Sequence, residues 1–241
     1  MMPTTPIAGY SKTESWKIFD SIYERYDFSN RILSFGLDIH WRKKLTEFVP
    51  DRPDLKLLDL ATGTADVPIT LLKASKNITA GYGIDLSENM LILGRKKITE
   101  EYLSNRILLH KGDATHLSFL DNEFDMETMS FGIRNVENPI FVLKEMYRTL
   151  KPRGRAVVLE FSLPNNIFIR WAHLIYLKIF VPLIGGLISG NFRAYFYLNR
   201  TIEKFPYGEM FCRMMRQCGF KNVAACPLFM GVATIYSGDK I

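Results

Sequence analysis

From about residue 55 onward the chain alternates short aliphatic runs with helix-length stretches, and this alternation constrains the fold more than any other feature. The runs read as strands at about Lys56–Leu60, Ala80–Ile84, Ile107–His110, Phe124–Met129 and Arg155–Phe161. Helices are expected at Val67–Ala74, Glu88–Leu103 and Pro139–Leu150, the last with Phe141, Val142, Glu145 and Met146 at helical spacing. That helix should stop at the turn Lys151-Pro152-Arg153-Gly154. Parallel neighbours can be joined only by a crossover, so strand–helix alternation dictates a parallel sheet covered on both faces. The C-terminus changes pattern. A helix at Glu209–Gln217 ends before Gly219, and Asn222–Cys226 and Val232–Ser237 read as strands joined by Pro227–Gly231. That loop is too short for a crossover, so these two strands must pair antiparallel. The expectation is a mostly parallel seven-stranded sheet with one antiparallel strand near its edge.

Two segments fall outside this plan. Residues 1–54 read as a helical cap, with Trp16, Phe19, Ile22 and Tyr23 at helical spacing and a second short helix at Ile39–Phe48. Residues 164–206 read as an aromatic-rich helical insertion within a single domain spanning 1–241. Inside it Ile179–Phe192 is uncharged, but it is shorter than the ~20 residues of a spanning helix. Pro182 and Gly185–Gly186 are also expected to interrupt it, which leaves a hydrophobic lid or contact with a membrane surface. The net charge of +6 comes from scattered residues, with no basic run of the kind that marks a nucleic-acid arm. Cys212, Cys218 and Cys226 fit no zinc spacing and read as free thiols. Met1–Trp16 lacks the pattern of a secretory signal, so a cytoplasmic location is expected, peripheral at the inner face of the membrane. A homodimer is compatible with the sequence.

In an open parallel sheet a ligand binds beyond the carboxyl ends of the strands. The first strand runs into Ala61-Thr62-Gly63-Thr64-Ala65-Asp66, where Gly63 permits close backbone approach and Thr64 offers a hydroxyl. The second ends at Asp85, whose carboxylate can accept both hydroxyls of a ribose. The third leads to Asp113 and Ala114, suited to an exocyclic amine and a ring nitrogen, and the fourth ends at Ser130. Each feature alone has a structural reading, since an acid at a strand end also starts helices and turns. Together they describe a pocket for an adenine nucleoside. A nicotinamide dinucleotide would call for more glycines at the first turn, and Asp66 would repel its phosphates. An acidic turn suits a cationic amino-acid moiety, as in S-adenosylmethionine.

Three groups of residues carry a family resemblance: Tyr26-Asp27-Phe28-Ser29-Asn30, Phe131-Gly132-Ile133-Arg134-Asn135-Val136, and Tyr195-Phe196-Tyr197-Leu198 with Phe205-Pro206. Through them the chain resembles the ubiquinone/menaquinone C-methyltransferases from about Ile18 to its end. The resemblance implies a class I S-adenosylmethionine-dependent methyltransferase fold, Rossmann-like, with cofactor contacts at Thr64, Asp85, Asp113, Ala114 and Ser130. It also implies C-methylation of a prenylated quinol, with demethylmenaquinol as the expected acceptor and the benzoquinol step of ubiquinone synthesis as the alternative. Ala65 and Arg153 stand where the family usually has glycine. If Ala65 needs a positive φ, its methyl costs ~1 kcal/mol or more and crowds the cofactor's closest approach.

Methylating a ring carbon requires a proton acceptor for a neighbouring hydroxyl and a group that tolerates the phenolate. Tyr26, Asp27, Asn30, His40, Arg134 and Asn135 are the candidates, with Arg134 favoured for the phenolate because it keeps its charge. A salt bridge is the structural alternative for Arg134, helix packing or capping for Tyr26 and Asp27, and plain surface exposure for His40. Trp171, Ile175, Phe180, Phe192, Tyr195, Phe196 and Tyr197 suit a polyprenyl tail, or simply a core. Two further readings stay open, a non-catalytic quinone- or lipid-binding assembly subunit and a methyltransferase for another small aromatic acceptor.

Overall fold

The computed structural model describes residues 14–241, so the stretch read for a secretory signal lies, up to residue 13, outside the described residues. Seven strands form one sheet: β1 (Leu55–Leu60), β2 (Ile78–Asp85), β3 (Ile107–Lys111), β4 (Phe124–Ser130), β5 (Leu150–Phe161), β6 (Lys221–Leu228) and β7 (Ala233–Asp239). Their order is β3-β2-β1-β4-β5-β7-β6. Every pair from β3 to β5 is parallel, and β7 runs antiparallel to both β5 and β6. Only Lys56 of β1 reaches solvent, as a strand covered on both faces requires.

Side-chain alternation sorts the core into two layers. Leu57, Met126 and Val157 face α3 (Asp66–Ala74) and α4 (Glu88–Glu100), which contribute Leu71, Leu72, Leu91 and Ile98. Leu58, Leu60, Phe124 and Val158 face α5 (Pro139–Thr149) and α9 (Glu209–Gln217), which contribute Val142, Leu143, Met146, Phe211 and Met215. The helix starts carry ordinary chemistry: the Ser87 side chain accepts from Met90 N, and Asn138 accepts from Ile140 N just ahead of Pro139.

The remaining helices gather at the carboxyl end of the strands. They are α1 (Ser15–Leu33), α2 (Leu37–Lys44), α6 (Ile167–Ile175), α7 (Val181–Ser189) and α8 (Phe192–Lys204). Two expectations need correction here. Pro182 and the glycine pair do not interrupt the insertion, because α6, a π segment at Tyr176–Phe180 and α7 form one continuous helical run. The π turn, closed by Val181 N donating to Tyr176 O, widens the helix just before Pro182. A Cβ on Gly185 or Gly186 would collide with the rings of Tyr195 and Phe192, so these glycines allow close helix packing. The run Ile167–Ser189 is 23 residues, and only 28% of its most apolar window is buried. It is long and apolar enough to cross a bilayer by length and composition. The uncharged stretch looked shorter because Arg170 and Lys178 lie within the same helix. Second, Lys151–Gly154 ends α5 yet belongs to β5, as a bulge with Arg153 at φ 66°. Arg153 N donates to Lys240 O at 2.7 Å, which pins the bulge to the C-terminus.

Asp59 lies in the middle of β1, 1% exposed, and accepts from Thr128 Oγ1 at 2.5 Å. Burial pushes its carboxyl up to about 7. The folded state therefore holds a proton that the unfolded chain releases near its ordinary value of about 4. This group's contribution to stability should be full below that value and fall as pH rises toward 7. Asp59→Asn keeps an acceptor for Thr128 and cannot ionise. Denaturant melts from pH 5 to 8 should show the variant gaining on the parent as pH rises. A constant difference would mean that Asp59 does not titrate in this window.

Candidate functional site

The loop after β1 bends sharply, with Ala61, Gly63 and Ala65 all left-handed at φ 50°, 55° and 64°. The loop after β4 approaches it so closely that a Cβ on Gly132 would lie 2.7 Å from Ala61 Cβ. Above this crossing lies a cavity of about 860 Å³, walled by Gly63, Asp85, Asp113, Ala114, Ser130 and, from α1, Trp16, Phe19 and Tyr26. Asp85 accepts from Gly63 N at 2.8 Å and from Ser87 N at 2.9 Å. Burial raises its pKa, while these backbone donors oppose the rise and orient the carboxylate. Asp113 Oδ1 is taken by Thr115 N and Oγ1, both at 2.8 Å, which fixes the carboxylate in the wall. Ser130 Oγ is buried without a partner in the same wall. An oriented acid at the end of β2 and an orphaned hydroxyl at the end of β4 fit an adenine nucleoside. Asp85 suits the ribose hydroxyls, and Asp113 with the Ala114 amide suits the base.

Thr64, Ala65 and Asp66 are turned away from this cavity. Thr64 is not in the cavity wall: its hydroxyl donates to Asp27 at 2.8 Å and accepts from Lys97 Nζ at 2.9 Å. Asp66 turns away too, paired with Lys97 at 2.6 Å and Arg42 at 3.6 Å, so its charge does not face a cationic ligand. Ala65 has the predicted positive φ, but it is fully buried and its methyl faces Gly94, on which a Cβ would lie 3.3 Å away. The positive φ is present, and the methyl is turned toward α4 rather than toward this cavity.

A second, largely apolar cavity of about 350 Å³ lies between α1, α2, the insertion and the β4 and β5 loops. Phe19, Tyr26, Phe131 and Asn135 are walls of both cavities. Tyr26 is half-buried and its phenol is pushed up by burial, with Arg42 and Arg134 partly opposing. Asn135 Nδ2 reaches Phe131 O at 3.4 Å, and its buried Oδ1 has no partner. Asn30 and Arg134 also line this cavity, whereas His40 is exposed and lines neither. Arg134 forms the buried salt bridge foreseen as its structural alternative, at 2.7 Å from Glu160, and also donates to Phe131 O. Its Nε is buried without a partner, so the ion pair does not use the whole fork. Asp27 is in neither wall. It pairs with Lys97 at 2.5 Å and fastens α1 to α4. Sequence reasoning missed Lys97, Phe161 and His173. Lys97 is one of many helix-borne lysines, and the other two become wall residues only through elements distant in sequence.

Asp85→Ala should weaken cofactor binding by ~1.5–3 kcal/mol through loss of a charged acceptor. Calorimetry at matched folding checks this, and unchanged affinity removes Asp85 from the site. Arg134→Ala should leave Glu160 buried and unpaired, at a cost of ~3–5 kcal/mol in stability. Arg134→Lys keeps the charge and should melt nearer to the parent, yet turn over more slowly with cofactor affinity intact. Normal turnover by the lysine variant would limit Arg134 to holding Glu160.

Comparison with known proteins agrees with this geometry. Residues 9–240 match the model of the ubiE/COQ5 methyltransferase family. A ubiquinone/menaquinone biosynthesis C-methyltransferase UbiE of Geotalea daltonii is 40% identical over 93% of this chain and 95% of its own. A demethylmenaquinone methyltransferase of Thermotoga maritima is 40% identical over 98% of this chain and 100% of its own. Among solved structures, a SAM-dependent methyltransferase from Thermotoga maritima superposes with a TM-score of 0.65 at 20% identity, covering 94% of this chain and 100% of that one. Phosphoethanolamine N-methyltransferase 2 of Haemonchus contortus, in complex with S-adenosyl-L-methionine, gives 0.61 at 14% identity over 96% of this chain and 57% of that one. These last two likenesses speak for the fold alone. The chain belongs to the ubiE/COQ5 methyltransferase family and is an S-adenosylmethionine-dependent methyltransferase with the class I fold.

Proposed function

We propose that this enzyme methylates a ring carbon of a prenylated quinol, converting demethylmenaquinol to menaquinol. The observation that carries the reading is the pair of cavities with four wall residues in common, Phe19, Tyr26, Phe131 and Asn135. One cavity suits a nucleoside and the other an apolar ring with its tail. S-adenosylmethionine supplies a methyl group made electrophilic by the sulfonium. The protein's part is to exclude water, hold the ring in line and stabilise the phenolate. Arg134, with its unpartnered Nε, is placed to favour the phenolate, and its ion pair with Glu160 fixes its orientation. Asn135 and Tyr26 stand at the common wall, where a ring hydroxyl and the cofactor's methyl would be nearest. Asp27 acts at one remove, by holding α1 in place as part of both walls.

A prenylated acceptor resides in a bilayer, and the outer side of the insertion suits contact with one. Phe168, Trp171, Leu183 and Leu187 are exposed along α6 and α7, with Arg193 and Arg200 flanking exposed Phe196 on α8. Apolar side chains rimmed by cations match an anionic lipid surface. The test is methylation of reduced demethylmenaquinol and of the corresponding benzoquinol, each presented in anionic vesicles. Demethylmenaquinol should be the better acceptor, and Trp171→Glu should lower both vesicle binding and the rate on vesicle-borne acceptor. A clear preference for the benzoquinol would reverse the substrate assignment, and vesicle binding unchanged by Trp171→Glu would remove this face from the membrane contact.

A further inference from the structure

Several buried side-chain polar atoms in the wall of the second cavity have no partner among the described residues: Arg134 Nε, Asn135 Oδ1, His173 Nε2 and Tyr195 OH. A buried polar atom left unpaired is a stability cost, so such a cluster in one apolar chamber calls for a ligand that completes it. Two of these atoms can serve as pure acceptors, and they come from different elements. Asn135 Oδ1 projects from the turn after β4, on the wall held in common with the cofactor cavity. His173 Nε2 projects from α6, and His173 is not a wall of the cofactor cavity. A quinol ring carries two hydroxyl donors on opposite sides.

We propose that His173 is a recognition residue for the acceptor: its Nε2 accepts a hydrogen bond from the ring hydroxyl directed toward the insertion. The inference rests on the reading of this cavity as the acceptor site. A neutral imidazole with its proton on Nδ1 has the required acceptor on Nε2. Burial pushes the pKa of His173 below its ordinary value, which keeps the ring neutral near pH 7. The other titratable or charged groups around the cavity are Tyr26 from α1, Asp38 and Arg42 from α2, Arg134 from the turn after β4, Tyr176 from the π segment, and Tyr195 and Tyr197 from α8. Asp38 and Arg42 are paired with each other at 2.6 Å, and Tyr176 OH donates to Leu33 O at 2.7 Å. Arg134 is a donor only, so His173 gives the insertion side an acceptor that can be lost by protonation.

The experiment measures kcat and KM for the reduced, prenylated acceptor against pH in the full-length enzyme, with cofactor affinity and melting temperature followed in parallel. His173→Phe should lose about tenfold in kcat/KM, chiefly through KM, with cofactor affinity unchanged. His173→Gln offers a carbonyl acceptor that does not titrate, and should recover most of that loss. The parent should lose kcat/KM on the acid side, where His173 protonates below the ordinary imidazole range, and His173→Gln should lack this acid limb. Parental kcat/KM in His173→Phe, or the same acid limb in both variants, would overturn the assignment. Ile169→Trp, on the partly exposed wall of the same cavity, tests the reading beneath it. Acceptor binding that survives this bulk would refute the cavity itself as the acceptor site. Loss of binding there with no effect in His173→Phe would refute His173 alone.

Discussion

The parallel pairing of β1 with β4 is the constraint on which the rest of the molecule depends. Their register, Leu57 opposite Met126 through Leu60 opposite Met129, brings both carboxyl ends to the same level. The crossovers from β1 and β2 place α3 and α4 on one face of the sheet, and the crossover from β4 places α5 on the other. Right-handed connections make this divergence unavoidable where the strand order reverses. The two loops must part above the pair, and the cavity walled by Gly63, Asp85 and Ser130 opens between them. Gly132 sets how closely they approach before they part, because no side chain fits against Ala61 there.

The α1 helix turns this crevice into a two-chamber site. It is held at both ends of the cofactor loops: Asp20 accepts from Ser87 and Asn89, and Asp27 accepts from Thr64 and pairs with Lys97. Lys97 also reaches Asp66, which meets Arg42, which pairs with Asp38. Alternating signs along this chain compensate charges that run from partly exposed Asp27, Lys97 and Asp66 to buried Arg42 and Asp38. The same network that shapes the β1 loop therefore reaches, through Asp38 and Arg42, one wall of the second cavity. A change at Lys97 or Asp27 would be felt in the walls of both cavities, although neither residue lines them.

Polar groups left without partners in an apolar chamber are a stability cost that a purely structural core would avoid. Here they stand on α6, α8 and the turn after β4, and all of them line the second cavity. Arg134 combines both arrangements, one end of its guanidinium paired with buried Glu160 and its Nε left without a partner among the described residues.

Much of the architecture was legible in the sequence because it rests on local periodicity and loop length. The strand at 107–111, the helix at 139–149 and the antiparallel pairing forced by a short loop near Pro227 follow from pattern alone. The placing of Asp85, Asp113, Ala114 and Ser130 at one cavity was legible too, because the carboxyl ends of parallel strands converge by rule. Side-chain direction within a loop was not. Thr64, Asp66 and Asp27 looked ligand-facing by position, but a lysine and an arginine from other helices draw them into a network. The continuity of the insertion helix through Pro182 depended on a π turn and on the rings of Tyr195 and Phe192. Sequence determined which elements form and in what direction they run, since those depend on neighbours along the chain. Only the tertiary structure decided which polar side chains face the chambers and which face each other, because that depends on charges and volumes brought together from distant segments.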